Sequence, residues 1–383
     1  MVNQNQIKIF VLSGKRGGFG ALRPFLKRIQ LSPNTKLILA LTDQHLSAKF
    51  GNTIEEVSAD FSDLELLPLG DYGSSQEEKS YAMSKLQELI TKSLIKTKPD
   101  YVVVYGDRAE SLVTAFAANL LSIKIIHFQG GDKSGSVDEH FRHAISKLSH
   151  LHFVSCQDSK KRLIQMGENE ENIFEVGDSH IDEILDGKIT NEQEMRQILK
   201  IPTNAEIITL LQHSETTKVQ NSGKQFKNTI EALEMFTNKY TNYKVIAIYP
   251  CSDPGYEEIV NLIHTSPIIF SFYKNLEAPL FRSLVSNSMV LIGNSSAGII
   301  ESPYLGTPSI NIGRRQENRL STAMTLSVDH STDEIFHALE RVHHNHFHLK
   351  EYIYGNGNSD LKAYEAILKR HKEINFAKIF YDI

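Results

Sequence analysis

The feature that most constrains the fold is an alternation that runs through the whole chain. Short apolar runs are followed, again and again, by longer amphipathic stretches. A strand buried on both faces of a parallel sheet reads as a short continuous apolar run, and the helix that crosses over to the next strand shows a 3.6-residue period. Repetition of that pair predicts an α/β protein built from parallel βα units. Strands are expected over 7–13, 36–42, 101–105, 123–128 and 151–155, with helices over 21–30, 76–96, 110–121, 137–149 and 158–166. A second series follows, with strands over 206–211, 244–249, 268–270, 289–292 and 308–312. Its helices are expected over 224–240, 254–264, 278–287 and 332–343. At 383 residues the chain exceeds one typical core, which predicts two domains. The polar, charged stretch 177–203 separates the two series and reads as a linker. Two doubly wound domains facing each other would form an interdomain cleft at the carboxyl ends of their strands, where such sheets bind ligands.

Charge and composition narrow the partners. A net charge of −5 gives no basic footprint for nucleic acid, so an anionic ligand would need local donors. No run approaches the roughly 18 apolar residues that suggest a membrane span. The opening Ile7-Lys8-Ile9-Phe10-Val11-Leu12 lacks the basic start and small-residue cleavage site of a signal peptide and reads as a first strand. Two distant cysteines, Cys156 and Cys251, form no disulfide framework. A cytoplasmic protein is expected.

The chemically loaded segments fall just after predicted strands. Gly293-Asn294-Ser295-Ser296-Ala297-Gly298 follows Met289-Val290-Leu291-Ile292, and Ile299-Ile300-Glu301 then reads as a helix. A tight turn of small residues before a helix N-terminus suits a phosphate, because unpaired amides and the helix dipole favour an anion. Glu301, one turn in, could accept hydrogen bonds from a ribose; ordinary capping is the competing reading. Gly14 to Gly20 reads as a glycine loop in which Arg16 offers a fork for phosphate, with spacing unlike the Walker or dinucleotide fingerprints.

Asp107, in Gly106-Asp107-Arg108-Ala109-Glu110, could orient a substrate, or could simply cap the next helix. His127-Phe128-Gln129-Gly130-Gly131-Asp132 leads into Asp138-Glu139-His140-Phe141-Arg142-His143. On a helix Asp138 faces Arg142 and Glu139 faces His143, a grouping suited to proton transfer or to plain surface pairing. His140 and His143 lack an evident third ligand, so no metal is expected. His213, ending the first strand of the second series, could act as a base or donate to phosphate. Tyr249 to Gly255 reads as a turn, and His343 to His348 as a solvated helix end.

Together these segments resemble the hydrolysing UDP-N-acetylglucosamine 2-epimerase family. The resemblance rests on Ser13 to Arg16, Gly106 to Glu110, His127 to Asp132, the run Asp138 to His150, Gly293 to Gly298 with Glu301, and Asn311 to Gln316. It implies a GT-B fold of two Rossmann-like domains. The N-terminal domain would span 1–178, joined by a C-terminal helix over 360–383, and the UDP-binding domain 179–359. The family eliminates UDP across carbons 1 and 2 of a UDP-HexNAc and adds water with inversion at carbon 2. The products are UDP and a free manno sugar that feeds sialic- or legionaminic-type synthesis, with no cofactor or metal, in proteins that commonly form homodimers or higher assemblies.

By position, the resemblance makes Asp107 and Asp138 acid/base or sugar-positioning groups. Arg16, Ser295, Ser296 and Arg315 would hold the diphosphate on the Gly293–Ala297 turn, Glu301 the ribose, and His213 the phosphate or leaving oxygen. Arg142 would hold the Asp138 region. The chain departs from the family at Gln129, where one subgroup carries a catalytic glutamate and another a histidine; at Gly17-Gly18, where the family has Ala with Asp or Glu; and at Ala21, where several members have lysine. Glutamine neither supplies nor accepts a proton as a carboxylate does. Three readings follow: an epimerase with Asp132 or Asp138 moving the proton, acting on a sugar such as a 2,4-diacetamido-trideoxyhexose; a GT-B glycosyltransferase or nucleotide-sugar hydrolase; or a nucleotide-sugar-binding protein.

Overall fold

The computed structural model describes residues 6–47, 53–70, 72, 75–134, 138–215, 219–251, 253–345 and 350–382, with the Arg16 side chain outside that description. The chain divides into two compact units. The first comprises 1–132, 138–182 and 354–383, and the second 133–137 and 183–353.

In the first unit the elements run β1 (Ile7–Ser13), α1 (Arg16–Leu31), β2 (Thr35–Leu41), α2 (Ile54–Ser58), β3 (Leu64–Leu66), α3 (Gln76–Thr97), β4 (Tyr101–Tyr105) and α4 (Ala109–Leu120). They continue with β5 (Lys124–Phe128), α5 (Asp138–Leu148), β6 (Leu151–Val154), α6 (Gln157–Gln165) and β7 (Ile173–Glu175). All seven strands are parallel, in the order β3-β2-β1-β4-β5-β6-β7. Alternation along each strand explains the double winding, since successive side chains point to opposite faces. In β1, Ile9 and Val11 join one core with Phe25 and Leu26 of α1, while Phe10 and Leu12 join another with Leu86 and Ile90 of α3. Both faces of the strand are therefore apolar, which is why its sequence is a continuous run rather than an alternating one.

The second unit takes in α7 (Asp182–Leu185), whose first residue belongs to the first unit, then α8 (Glu192–Ile198), β8 (Glu206–Leu211), α9 (Ser222–Lys239), β9 (Tyr243–Ile248) and α10 (Tyr256–Thr265). It continues with β10 (Ile269–Tyr273), α11 (Ala278–Ser286), β11 (Val290–Gly293), α12 (Ala297–Ile300), α13 (Ser302–Leu305), β12 (Ser309–Ile312), β13 (Thr325–Val328) and α14 (Thr332–His344). Its six parallel strands follow β10-β9-β8-β11-β12-β13. A last helix, α15 (Ser359–Arg370), returns to the first unit and lies on α1, where Ala363 and Ile367 enter the core and Arg28 pairs with Asp360 at 2.5 Å.

Three expectations are corrected, the first being the C-terminal helix expected over 360–383, which ends at Arg370. The glycine segment after β1 is not a loop: α1 begins at Arg16, so Gly17, Gly18 and Gly20 lie in a helix. Glycine's poor helix propensity is overridden by packing, because Phe19 is fully buried, edge-on to His45 and Phe61. The expected linker contains α7 and α8. Strands β3 and β7 went unread because three residues carry too little periodicity to register, and β13 because Thr325-Leu326-Ser327-Val328 is only partly buried and is no continuous apolar run.

Candidate functional site

Each sheet reverses its strand order next to its first strand, between β1 and β4 in one unit and between β8 and β11 in the other. Open parallel sheets bind ligands beyond the carboxyl ends of the strands at such a reversal. The polar residues in question gather at those ends, and each unit is described by itself.

In the first unit, α5 carries the organising side chain. Arg142 is 2% exposed; its Nη2 donates to the Asp107 carboxylate and its Nη1 to the Gln129 carbonyl at 2.8 Å. One guanidinium thus ties the ends of β4 and β5. The N-cap residue of α4 is Arg108, so the capping alternative for Asp107 falls away, and Arg142, which the spacing set facing Asp138, pairs with Asp107. Asp138 opens α5, where Glu139 and His143 pair at 3.5 Å as their spacing predicted. The far end of α5 is capped by Lys378, which donates to the carbonyls of Lys147 and Ser149 at 2.9 and 2.5 Å. A cation there satisfies orphan carbonyls and complements the helix dipole.

Gln129 adopts a left-handed conformation, with φ of 59°. Its amide donates to Asp178 Oδ2 at 2.6 Å. Asp178 also accepts from the backbone N–H of His180 at 3.0 Å and from the His180 ring at 2.9 Å. The Tyr105 hydroxyl lies 3.2 Å from the same ring nitrogen. Burial works to raise the Asp178 pKa, but the His180 imidazole and these hydrogen bonds outweigh it, so the carboxyl is held below its usual range. Burial pushes the Tyr105 phenol well above its usual value, with the Asp178 charge adding to it.

Asp132 is 3% exposed and accepts from the hydroxyls of Ser155, at 2.9 Å, and Ser159. The turn before it is tight: Gly131 has φ of 77°, and a Cβ would collide with the Ser159 carbonyl. His127 is fully buried, with Nε2 donating to the Gly106 carbonyl at 2.8 Å, and burial lowers its pKa to about 3. Closer to β1 and β2, Asp43 accepts from the Tyr72 hydroxyl and is raised to about 6, by burial first and by Glu110 second.

In the second unit, Asn294 clamps the backbone of His213. Its Oδ1 accepts from the His213 N–H at 2.7 Å and its Nδ2 donates to the His213 carbonyl at 2.9 Å. This joins the ends of β8 and β11. His213 Nδ1 accepts from the Cys251 N–H at 3.0 Å, which puts the ring proton of a neutral His213 on Nε2. Arg315 and Gln316 both donate to the Asn294 carbonyl, at 3.3 and 3.2 Å, and Arg315 pairs with Asp253 at 3.5 Å. Gly293 has φ of 139° and packs on the Leu211 carbonyl so closely that any Cβ would clash. Ser295 Oγ accepts from the Ala297 N–H at 3.3 Å, and Glu301 joins α12 to α13.

The structure therefore brings Asp107, Gln129 and Arg142 together, with Asp138 and Asp132 on the segments that follow Gln129. In the other unit it brings His213, Gly293 and Arg315 together, followed by Ser295, Ser296, Ala297 and Glu301 on one turn. The Arg16 side chain, Ser252 and His346 to His348 lie outside the described residues. Sequence reasoning missed Asp178 and His180, because β7 is too short to announce a strand end, and Asn294, quoted only as part of a turn. Cys251 and Asp253 were read as turn residues. Among the described residues no group of three or more His, Cys, Asp or Glu gathers around a metal-sized site, and no helix is long and apolar enough to cross a membrane.

Two Rossmann-like parallel sheets, each with its polar residues at the strand-order reversal, place the chain among two-domain α/β proteins of the GT-B fold. The sequence profile of UDP-N-acetylglucosamine 2-epimerase matches residues 27–368. The chain is 35% identical over 366 residues to the UDP-N,N'-diacetylbacillosamine 2-epimerase (hydrolyzing) of Legionella pneumophila, covering 94% of this chain and 95% of that protein. It is 30% identical to the UDP-N-acetylglucosamine 2-epimerase of Neisseria meningitidis serogroup B, covering 87% of each. Among solved structures, the UDP-GlcNAc 2-epimerase from Neisseria meningitidis bound to UDP-GlcNAc superposes with a TM-score of 0.82 at 20% identity, covering 95% of this chain and 100% of that one. The Methanocaldococcus jannaschii enzyme in complex with UDP-GlcNAc and UDP gives 0.79 at 20% identity, covering 95% and 99%. This chain belongs to the UDP-N-acetylglucosamine 2-epimerase family.

Proposed function

We propose that the chain is a hydrolysing UDP-HexNAc 2-epimerase of the cytoplasm. It would eliminate UDP across carbons 1 and 2 and then hydrate the intermediate to a free manno-configured sugar. The observation that carries this reading is the pairing of His213 with Asn294 at the reversal point of the second unit. With Nδ1 accepting from Cys251, a neutral imidazole offers Nε2–H, a donor suited to a diphosphate oxygen. Arg315 donates to the carbonyl of Asn294, the residue before the Ser295-Ser296 turn, and Glu301 would take the ribose one turn further on.

Two relatives favour the hydrolysing reaction and a 2,4-diacetamido-trideoxy sugar. The Legionella protein is named for that activity, and so is the GDP/UDP-N,N'-diacetylbacillosamine 2-epimerase (hydrolyzing) of Campylobacter jejuni, 31% identical over 338 residues. In the first unit, Asp107, Asp138, Asp132 and Gln129 would surround the sugar, with Arg142 fixing Asp107. The test is incubation with UDP-GlcNAc, and separately with its 2,4-diacetamido-trideoxy analogue, in deuterated water. Free manno sugar with deuterium at carbon 2 would support the proposal. UDP release with retained gluco configuration, or UDP binding without release, would overturn it.

A further inference from the structure

The loop after β7 turns back over the carboxyl ends of its neighbours, with the N–H groups of Val176 and Gly177 both reaching the Val154 carbonyl. It delivers Asp178 to Gln129 and His180 to Tyr105, beside the Arg142–Asp107 pair. The Asp178 side chain is fully buried, while that of His180 is 27% exposed. A buried carboxylate bound to Nδ1–H fixes the ring in one tautomer and puts the lone pair on Nε2, the arrangement by which a carboxylate turns histidine into an oriented base.

Two of the carboxylates nominated by the sequence, Asp107 and Asp132, are already committed to other partners. Asp107 is engaged by the Arg142 guanidinium, and Asp132 Oδ1 accepts from the hydroxyls of Ser155 and Ser159. An imidazole titrates near the operating pH, where general bases work best. Gln129 has a defined part in this arrangement. It donates to Asp178, where a second carboxylate would compete for the same proton.

Resting on the functional reading above, we propose that His180 is a catalytic residue that takes the carbon-2 proton of the sugar, with Asp178 and Gln129 as its positioning residues. The C2–H bond breaks and its proton passes to Nε2. Its electron pair forms the C1–C2 double bond, while the C1–O bond breaks and UDP leaves with the C1–O bonding pair. In hydration, water oxygen bonds to carbon 1 and carbon 2 takes a proton from a carboxylic acid on the opposite face. The proton lost by the water restores that acid, and the proton on His180 returns to solvent.

Among the described residues, the ionisable groups recorded against His180 are Asp178 on its own loop and Tyr105 from β4, with Asp132 and Arg142 acting on Tyr105. His180→Gln and Asp178→Asn are assayed for UDP release and carbon-2 deuterium, alongside UDP affinity by calorimetry. His180→Gln is expected to lower turnover by about 10²–10⁴-fold with UDP affinity unchanged. Removing the Asp178 charge lowers the histidine pKa, so Asp178→Asn should move the acid limb of the kcat profile to lower pH. His180→Gln turning over like the wild type, or an acid limb that stays in place in Asp178→Asn, overturns this proposal alone. A wild-type chain that releases no sugar overturns the functional reading and this proposal with it.

Discussion

The side-chain amide of Gln129 donates to the buried carboxylate of Asp178 at 2.6 Å. That contact changes the meaning of the glutamine. From the sequence it reads as a departure at a position where one subgroup of the family carries a catalytic glutamate. In the structure, a glutamate there would set a second carboxylate against Asp178, and two carboxylates sharing a site cannot both ionise. The pair would bind an extra proton in the folded state, so the folded form gains at low pH and loses as pH rises through the raised pKa. Gln129→Glu is expected to melt near wild-type temperature at pH 5 and clearly lower at pH 8. Equal losses at both pH values would count against the contact.

Arg142 spans two strand ends through two different nitrogens, one on Asp107 and one on the Gln129 carbonyl. Lysine presents a single point charge and cannot bridge both. Arg142→Lys keeps the charge but loses one of the two bridges, so it is expected to destabilise the fold by about 1–3 kcal/mol, the scale for leaving a buried polar group unpaired, measured by urea unfolding. A loss under about 1 kcal/mol, the scale of a surface pair, would place the Arg142–Asp107 contact outside the buried class.

Asp107 and Asp138 separate by role. If Asp138 handles a proton, Asp138→Asn lowers turnover by about 10²–10⁴-fold with little effect on melting. Asp107→Asn leaves the buried Arg142 without its counter-charge, so it lowers both melting temperature and turnover. Near-normal turnover in Asp138→Asn would remove it from the proton path.

The two serines of the phosphate turn differ in a measurable way. Ser295 Oγ already accepts from the Ala297 N–H, whereas Ser296, the N-cap residue of α12, makes no side-chain cap bond. Ser296→Ala should weaken UDP binding by about 1–2 kcal/mol with stability unchanged, the scale of a hydrogen bond to a charged group. Ser295→Ala should cost about 0.5–2 kcal/mol of stability through the lost turn contact. Calorimetry and thermal melting on the two variants read this out, and identical effects would sink the distinction.

Buried histidines set the acid limit of stability. Burial holds His127 at about 3 and His45 and His150 at about 4, against an unfolded value of 6.5. The unfolded chain therefore binds more protons between these values, so stability is fully present above pH 6.5 and is lost as pH falls through that window. The carboxyls of Asp43, raised to about 6, and of Asp182, also raised by burial, work the other way, but they are outnumbered by the lowered imidazoles, which include those of His143, His152 and His371. Melting temperature should fall from pH 6.5 to 4, with net proton uptake on unfolding near pH 5. Proton release on unfolding at that pH would contradict the assignment.

The sequence by itself determined the parallel α/β class, most of the strands and the family. Continuous apolar runs such as Val290-Leu291-Ile292 can only be buried on both faces, and the small residues after them mark where a turn must be tight. It also supplied the residue types of both strand-end groups, because Asp107, Gln129, His213 and Ser295 all follow strands long enough to read. Tertiary structure decided which of them meet. Arg142 reaches Asp107 across 35 positions and Gln129 reaches Asp178 across 49, distances at which spacing along a helix says nothing. It also turned a glycine loop into the start of α1 and placed His180 beside Tyr105 by way of β7, three residues long. Local periodicity encodes which face of an element is buried. The partner of a buried polar group is fixed only when separate elements close on one another and every donor has to find an acceptor.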